Sequence, residues 1–225
     1  ILVVGGGIAG LTLAISLARR GRRAIVLENR PRFETEGAGI QLGANGVRVL
    51  ERLGVADRLR PRVGEPSVLA VFAGRSARRL SELPLGAWFA RRYGAPYWTM
   101  HRSDLHEALT AAALAEPGLQ LRAGYALSSL SQDSSGVHLQ DRVGERLLGE
   151  ALIGADGLWS PTRAAVVGDG APRMAGHFVY RGVVPTDRIN DRSDLQSMII
   201  SLGPHLPLGQ YRLPGGYLIS HVAPV

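Results

Sequence analysis

The stretch that most restricts the fold is the first thirty residues, ILVVGGGIAGLTLAISLARRGRRAIVLENR. Residues 1–4 form an apolar run that reads as a buried parallel strand. Gly5, Gly7 and Gly10 then stand in the spacing G-x-G-x-x-G. Ile8, Leu11, Ala14, Ile15 and Ala18 recur at helical spacing, and Arg19, Arg20 and Gly21 close that helix. A second apolar run, residues 24–27, ends in Glu28. Strand, glycine turn, helix, strand and terminal acid in this order predict an α/β chain with a parallel sheet and a dinucleotide site. Gly5 turns the chain tightly, Gly7 lets backbone approach a pyrophosphate, and Gly10 lets the helix pack close to the sheet. The helix N-terminus offers the phosphates free N–H groups and a positive dipole end. Glu28 is placed to accept hydrogen bonds from ribose hydroxyls, which favours a free adenosine ribose, while Arg30 nearby speaks for a 2′-phosphate. A turn of the same shape that binds nothing is the bland alternative.

Composition removes several classes. With no cysteine among 225 residues, disulfides, thiolate catalysis, zinc–thiolate sites and the flavin disulfide reductases are excluded, and no metal site is expected. No apolar run approaches the roughly twenty residues of a membrane span, so no membrane partner is expected. No signal peptide is visible, and a cytoplasmic location is the default expectation. The chain lacks a starting Met and begins inside a strand, which suggests that residues precede it. The net charge of +7 is carried wholly by arginine, since the chain has no lysine. The arginines are scattered and no aromatic–basic platform is evident, so no nucleic acid is expected; anionic cofactors and substrates are the better use for the charge.

Residues 31–46 read as a glycine-rich loop in which residues 37–42 could lie against a flat ring, although an ordinary surface loop is preferred. Asn45 is the expected cap of a helix carrying Val47, Leu50 and Leu53. Residues 68–72 read as a strand, and residues 84–98 as an irregular aromatic segment. A long helix follows, with Ser103 as its expected N-cap and Arg102 set to reach a phosphate or to pair with Asp104. Short strands are expected near 119–122, 126–131, 136–140 and 146–153. The last runs into Ala155-Asp156-Gly157, with Ser160 as N-cap and Pro161 at the first helical position of another helix. An acid at the carboxyl end of a sheet strand lies where such folds bind ligands, so cofactor contact is favoured for Asp156 over a simple turn cap. From Met174 on, long strands with Pro-Gly turns predict a largely antiparallel sheet, and the chain stops inside it, as a fragment would.

GGGIAG with Glu28, HRSDL at 101–105 and IGADGLWSPTR at 153–163 together resemble the single-component FAD-dependent aromatic hydroxylases, over residues 1 to about 185. The GAGIQLGANG loop is similar to the branch with salicylate, 3-hydroxybenzoate and 6-hydroxynicotinate hydroxylases. The resemblance implies a Rossmann-like FAD-binding domain, residues 1–65 and 99–172, and a truncated, largely antiparallel substrate domain, residues 66–98 and 173–225. It implies that Gly5, Gly7, Ala9, Gly10, Glu28 and Asn29 hold the ADP half of FAD, Arg102 its phosphates or ribityl region, and Asp156 and Gly157 a further anchor. Gln41 would lie near the flavin, and NADH or NADPH would visit without a second nucleotide-binding fold. The family's later Gly-Asp motif is absent.

The implied reaction is hydroxylation of a small, hydroxybenzoate-like aromatic with NAD(P)H and O2 through a flavin C4a-hydroperoxide. His177 is the candidate base that raises ring electron density and Tyr180 a candidate substrate partner, with His101 and His221 behind them. A homodimer is an open option. The alternatives are tailoring of a larger natural product by the same chemistry, or an NAD-binding oxidoreductase or silent nucleotide-binding module. The latter would need neither the Asp-Gly pair nor the HRSDL helix start.

Overall fold

A computed structural model describes every residue except 36, 38, 177, 189–195, 205–206 and 223–225. In chain order its elements are β1 (Leu2–Val4), α1 (Ile8–Ala18), β2 (Ala24–Glu28), β3 (Gly39–Leu42), α2 (Ala44–Arg52), α3 (Ala56–Leu59), β4 (Val68–Ala73), β5 (Arg79–Pro84), α4 (Gly86–Tyr93), β6 (Trp98–His101) and α5 (Arg102–Leu114). Then come β7 (Leu119–Ala123), β8 (Leu127–Asp133), β9 (Gly136–Asp141), β10 (Arg146–Gly149), β11 (Leu152–Gly154), α6 (Pro161–Val166), β12 (Tyr180–Pro185), β13 (Ser197–Leu202), β14 (Pro207–Leu213) and β15 (Tyr217–Val222). Packing divides them into two units, Ile1–Thr35 with His106–Arg173, and Glu36–Leu105 with Met174–Val225. This partition follows contacts, whereas the expected one follows ligand role; it groups 36–65 and 99–105 with the second unit.

Unit one is built on a parallel sheet of order β11-β1-β2-β7. The three residues of β1 are all buried, as a strand covered on both faces requires. Val3 joins Ala14, Ala24 and Val26 on the α1 side, while Leu2 and Val4 join Leu27, Val137 and Leu139 on the other. That second face is covered by an antiparallel meander of order β10-β9-β8. Each fully buried Leu or Val stabilises by about 1.5–3 kcal/mol as an upper estimate. The strand expected over 146–153 is two strands in different sheets: β10 closes the meander and β11 joins β1. Gly149 makes the crossing possible, since a Cβ there would sit 2.6 Å from Leu2 Cγ.

Unit two contains a six-stranded sheet of order β12-β15-β14-β13-β4-β5 and a β3-β6 pair. Only β13 and β4 run parallel in the larger sheet, so it is largely antiparallel, as expected. Its core is Leu85, Met198, Tyr211 and Leu213, with Leu69, Phe89 and Tyr97 against it. Two segments differ from expectation. Residues 39–42 are the strand β3 rather than loop, because β6 satisfies their backbone groups. Residues 86–93 are the helix α4, which packs Phe89 against Tyr97. The caps differ too. α2 starts at Ala44 after Gly43, leaving Asn45 inside the first turn. β6 passes directly into α5 at Arg102, which places Ser103 inside the helix. Among the described residues no helix is long and apolar enough to cross a membrane.

Candidate functional site

In unit one the turn after β1 is determined by steric crowding. Gly5 has φ +109°, and a Cβ there would overlap the Ala155 carbonyl; a Cβ on Gly10 would overlap the Gly5 carbonyl. Neither neighbour is a flexible side chain, so only glycine fits. Gly7 is different. It is the N-cap of α1, and a Cβ there would meet nothing within 4 Å. Among the described residues no side chain caps α1, so the first-turn N–H groups, Ala9 among them, keep their donor capacity for a ligand. This is a donor set and a cradle of the kind a pyrophosphate needs.

Glu28, at the end of β2, fixes that cradle. Its Oε2 accepts the Gly6 N–H at 2.8 Å and its Oε1 accepts the Arg30 N–H at 3.0 Å. A carboxylate has about four lone-pair directions, so two remain for ribose hydroxyls. The exposed Asn29 stands beside it. Two parts of this support escaped the sequence reading. A Cβ on Gly6 would collide with the Phe33 ring and the Glu28 carboxylate, so Gly6 too is crowded, by side chains where Gly5 meets backbone. His106, on α5, is 4% exposed and its Nε2 lies 2.8 Å from the Gly6 carbonyl oxygen. The carbonyl can only accept, so Nε2 carries the hydrogen. The available signal was a histidine among Leu105, Leu109 and Ala113 on an apolar helical stripe, where a polar group must find a partner.

Asp156 follows β11. Its Oδ1 accepts from the Ser160 hydroxyl and its Oδ2 accepts the Thr162 N–H at 3.0 Å. Ser160 is the N-cap of α6, accepting the Arg163 N–H at 2.8 Å, and Pro161 opens the helix, both as expected. The carboxylate therefore holds the start of α6, the turn-capping role set beside cofactor contact for it. Gly157 has φ +78° with open space at its Cβ position.

The remaining candidates belong to unit two. Gln41 Oε1 accepts the Tyr97 hydroxyl at 2.8 Å, and Gln41 also hydrogen-bonds Tyr211. Burial raises both phenol pKa values above the ordinary tyrosine value; neighbouring Tyr211 adds to the effect on Tyr97, while Gln41 and Arg181 temper it on Tyr211. Arg102 opens α5, and Asp104 pairs with Arg62 at 3.4 Å. Tyr180 begins β12 and is 71% exposed. His101 packs edge-on to Tyr217 at 6.1 Å. His177, the candidate base, lies outside the described residues.

Comparison with known proteins agrees with this geometry. The chain belongs to the FAD binding domain family, whose pattern matches residues 1–186. Among curated relatives it is 39% identical over 205 residues to 3-amino-4-hydroxybenzoate 2-monooxygenase PtnB3 of Streptomyces platensis, covering 91% of this chain and 51% of that one. It is 34% identical over 215 residues to 3-hydroxybenzoate 6-hydroxylase of Klebsiella oxytoca, covering 96% and 54%. The chain thus spans about half the length of the curated relatives it matches. Klebsiella pneumoniae HpxO, solved with FAD and uric acid, shares the fold at TM-score 0.84 and 24% identity, covering 99% of this chain and 55% of that one. A tetrameric 2-methyl-3-hydroxypyridine-5-carboxylic acid oxygenase aligns at TM-score 0.78 and 26% identity, covering 99% and 58%.

Proposed function

We propose that the full-length protein is an FAD-dependent monooxygenase that hydroxylates a small, hydroxybenzoate-like aromatic with NAD(P)H and O2. The observation that carries this reading is the glycine cradle before α1, closed on one side by backbone and open at Gly7, with Glu28 beside it. The two curated relatives reported above, by name a 3-amino-4-hydroxybenzoate 2-monooxygenase and a 3-hydroxybenzoate 6-hydroxylase, support the reaction class and the size of the substrate.

The bound flavin would take hydride from NAD(P)H and activate oxygen. The chain's own residues bind and orient. Gly5, Gly7, Gly10 and the Ala9 N–H seat the pyrophosphate, Glu28 and Asn29 meet the adenosine ribose, and His106 holds the Gly6 carbonyl in place. Arg102, Gln41, Asp156 and Gly157 are assigned to the rest of the cofactor, and His177 and Tyr180 to proton handling at the phenol, from the family resemblance. In this reading the protein forms a homodimer; a tetrameric form of the pyridine-carboxylate oxygenase has been solved.

The test is the visible absorption spectrum of the full-length protein, chromatography of the dinucleotide that heat releases, and a panel of aromatic acids screened for stimulated NAD(P)H oxidation. Flavin bands, released FAD and a stimulating hydroxybenzoate are expected. A colourless protein that cannot be reconstituted with FAD, yet binds NAD, would overturn the reading in favour of a nucleotide-binding module.

A further inference from the structure

We infer that the groove between α2 and α4 of unit two is a phosphate-binding subsite for the adenosine phosphate part of the nicotinamide donor; its assignment to that donor rests on the function proposed above. The groove measures about 660 Å³, within the range of small-molecule sites. Its lining includes Asn45, Arg48, Phe89, Arg91, Arg92 and Tyr93 and, among the described residues, no carboxylate. Among the described residues none of these three arginines pairs with a carboxylate.

Helix chemistry accounts for only part of this cluster. Arg91 and Arg92 sit in the last turn of α4, where cations complement the dipole. Arg48 comes from α2, and its Cδ lies 3.9 Å from where a Cβ on the capping residue Gly94 would be. Two helices therefore contribute cations to one groove, and like charges repel unless an anion lies among them. Guanidinium forks match phosphate oxygens bidentately. The α2 N-terminus adds open backbone donors, since no side chain caps it after Gly43.

The second feature is aromatic. Phe89 and Tyr93 pack with ring centroids 4.6 Å apart, and Trp88 stands edge-on to Tyr93 at 6.3 Å. Trp88 and Tyr93 remain 42% and 46% exposed. Exposed ring faces next to arginines suit a ligand that carries both a planar base and phosphate. The sequence sets Arg91 and Arg92 among the aromatics of residues 88–93 and hides only the contribution of Arg48, which is remote along the chain.

The experiment uses flavin-loaded full-length protein, so that the ADP site of unit one is filled. Binding of a fluorescent ADP analogue is measured by anisotropy, with inorganic pyrophosphate as competitor, and KM for NADH and NADPH is measured beside it. In Arg48→Gln/Arg91→Gln/Arg92→Gln, analogue affinity should fall and donor KM rise by about tenfold or more, from lost charged contacts. Flavin content and kcat at saturating donor should hold. Arg75→Gln/Arg78→Gln removes exposed charge elsewhere in unit two and should change neither. If the triple variant loses flavin or folds poorly, Arg91→Gln alone repeats the test at one exposed position. Unchanged analogue affinity and KM overturn the subsite. Lost analogue binding with unchanged KM overturns its assignment to the donor. A parent that oxidises no NAD(P)H fails the proposed function instead, and the binding arm still decides the groove.

Discussion

Two strand-to-helix turns leave neighbouring strands of unit one, and they treat the same backbone problem in opposite ways. β1 and β11 pair in parallel, and each is followed by a turn and a helix. After β1 the turn is glycine and the first-turn donors of α1 have no side-chain acceptor. After β11, Asp156 and Ser160 take the Thr162 and Arg163 N–H groups, so the donors of α6 are consumed internally. An open helix start is a seat for a ligand, and a capped one is a joint in the scaffold. The steric demands differ in the same sense. Gly5 and Gly10 are hemmed in by backbone, whereas Gly157 needs only its left-handed conformation.

The largest effect that separates the turns is expected at Gly10. In Gly10→Ala the new methyl meets the Gly5 carbonyl, which is held because the Gly5 N–H donates to the Leu27 carbonyl at 2.7 Å. Neither partner can move without breaking the β1–α1 packing, so a loss of about 3 kcal/mol or more is expected. Denaturant unfolding of the full-length protein measures it. A variant within about 1 kcal/mol of the parent would show that the close approach of helix to strand is absent.

Glu28 comes next. Glu28→Ala strips the Gly6 and Arg30 N–H groups of their acceptor and should weaken FAD binding by about 1–3 kcal/mol. Flavin fluorescence titration reads this directly. Unchanged affinity would mean that the open turn seats its ligand without the acid, and the comparison would then rest on glycine alone.

Much of unit one was legible because its constraints are local. Glycine spacing, a buried apolar triplet and an acid at a strand end leave a signature within thirty residues. The Ser160-Pro161 helix start was legible for the same reason. What escaped depended on distant partners. His106 reaches Gly6 across 100 residues, β3 is a strand only because β6 lies beside it, and α4 is a helix within a stretch whose aromatics masked its period. Caps failed where a strand ran straight into a helix, as at Arg102, since a side-chain cap presupposes a non-helical residue before it.

The capped turn should respond in stability as well as in cofactor binding. Asp156→Ala frees the Thr162 N–H and the Ser160 hydroxyl, so a loss of about 0.5–2 kcal/mol is expected, as for other N-caps. Measuring it on flavin-free protein separates the scaffold role from any cofactor contact. A flavin-free variant as stable as the parent, with FAD affinity reduced, would turn Asp156 into a ligand and make the two turns alike.

The smallest effect on stability, and the sharpest on meaning, belongs to Gly7. Its φ of −75° and ψ of −176° suit any residue, and a Cβ there meets nothing, so Gly7→Ala should fold with stability within about 0.5 kcal/mol of the parent. The methyl would nonetheless stand in the space that the α1 N–H groups face, where a pyrophosphate would lie. FAD affinity should fall while the melting temperature holds. That split cannot arise from damage to the fold, because the fold has no contact to lose at that point. If both quantities stay at the parent's values, the open end of α1 does not seat the cofactor, and an uncapped helix start in this chain is only an uncapped helix start.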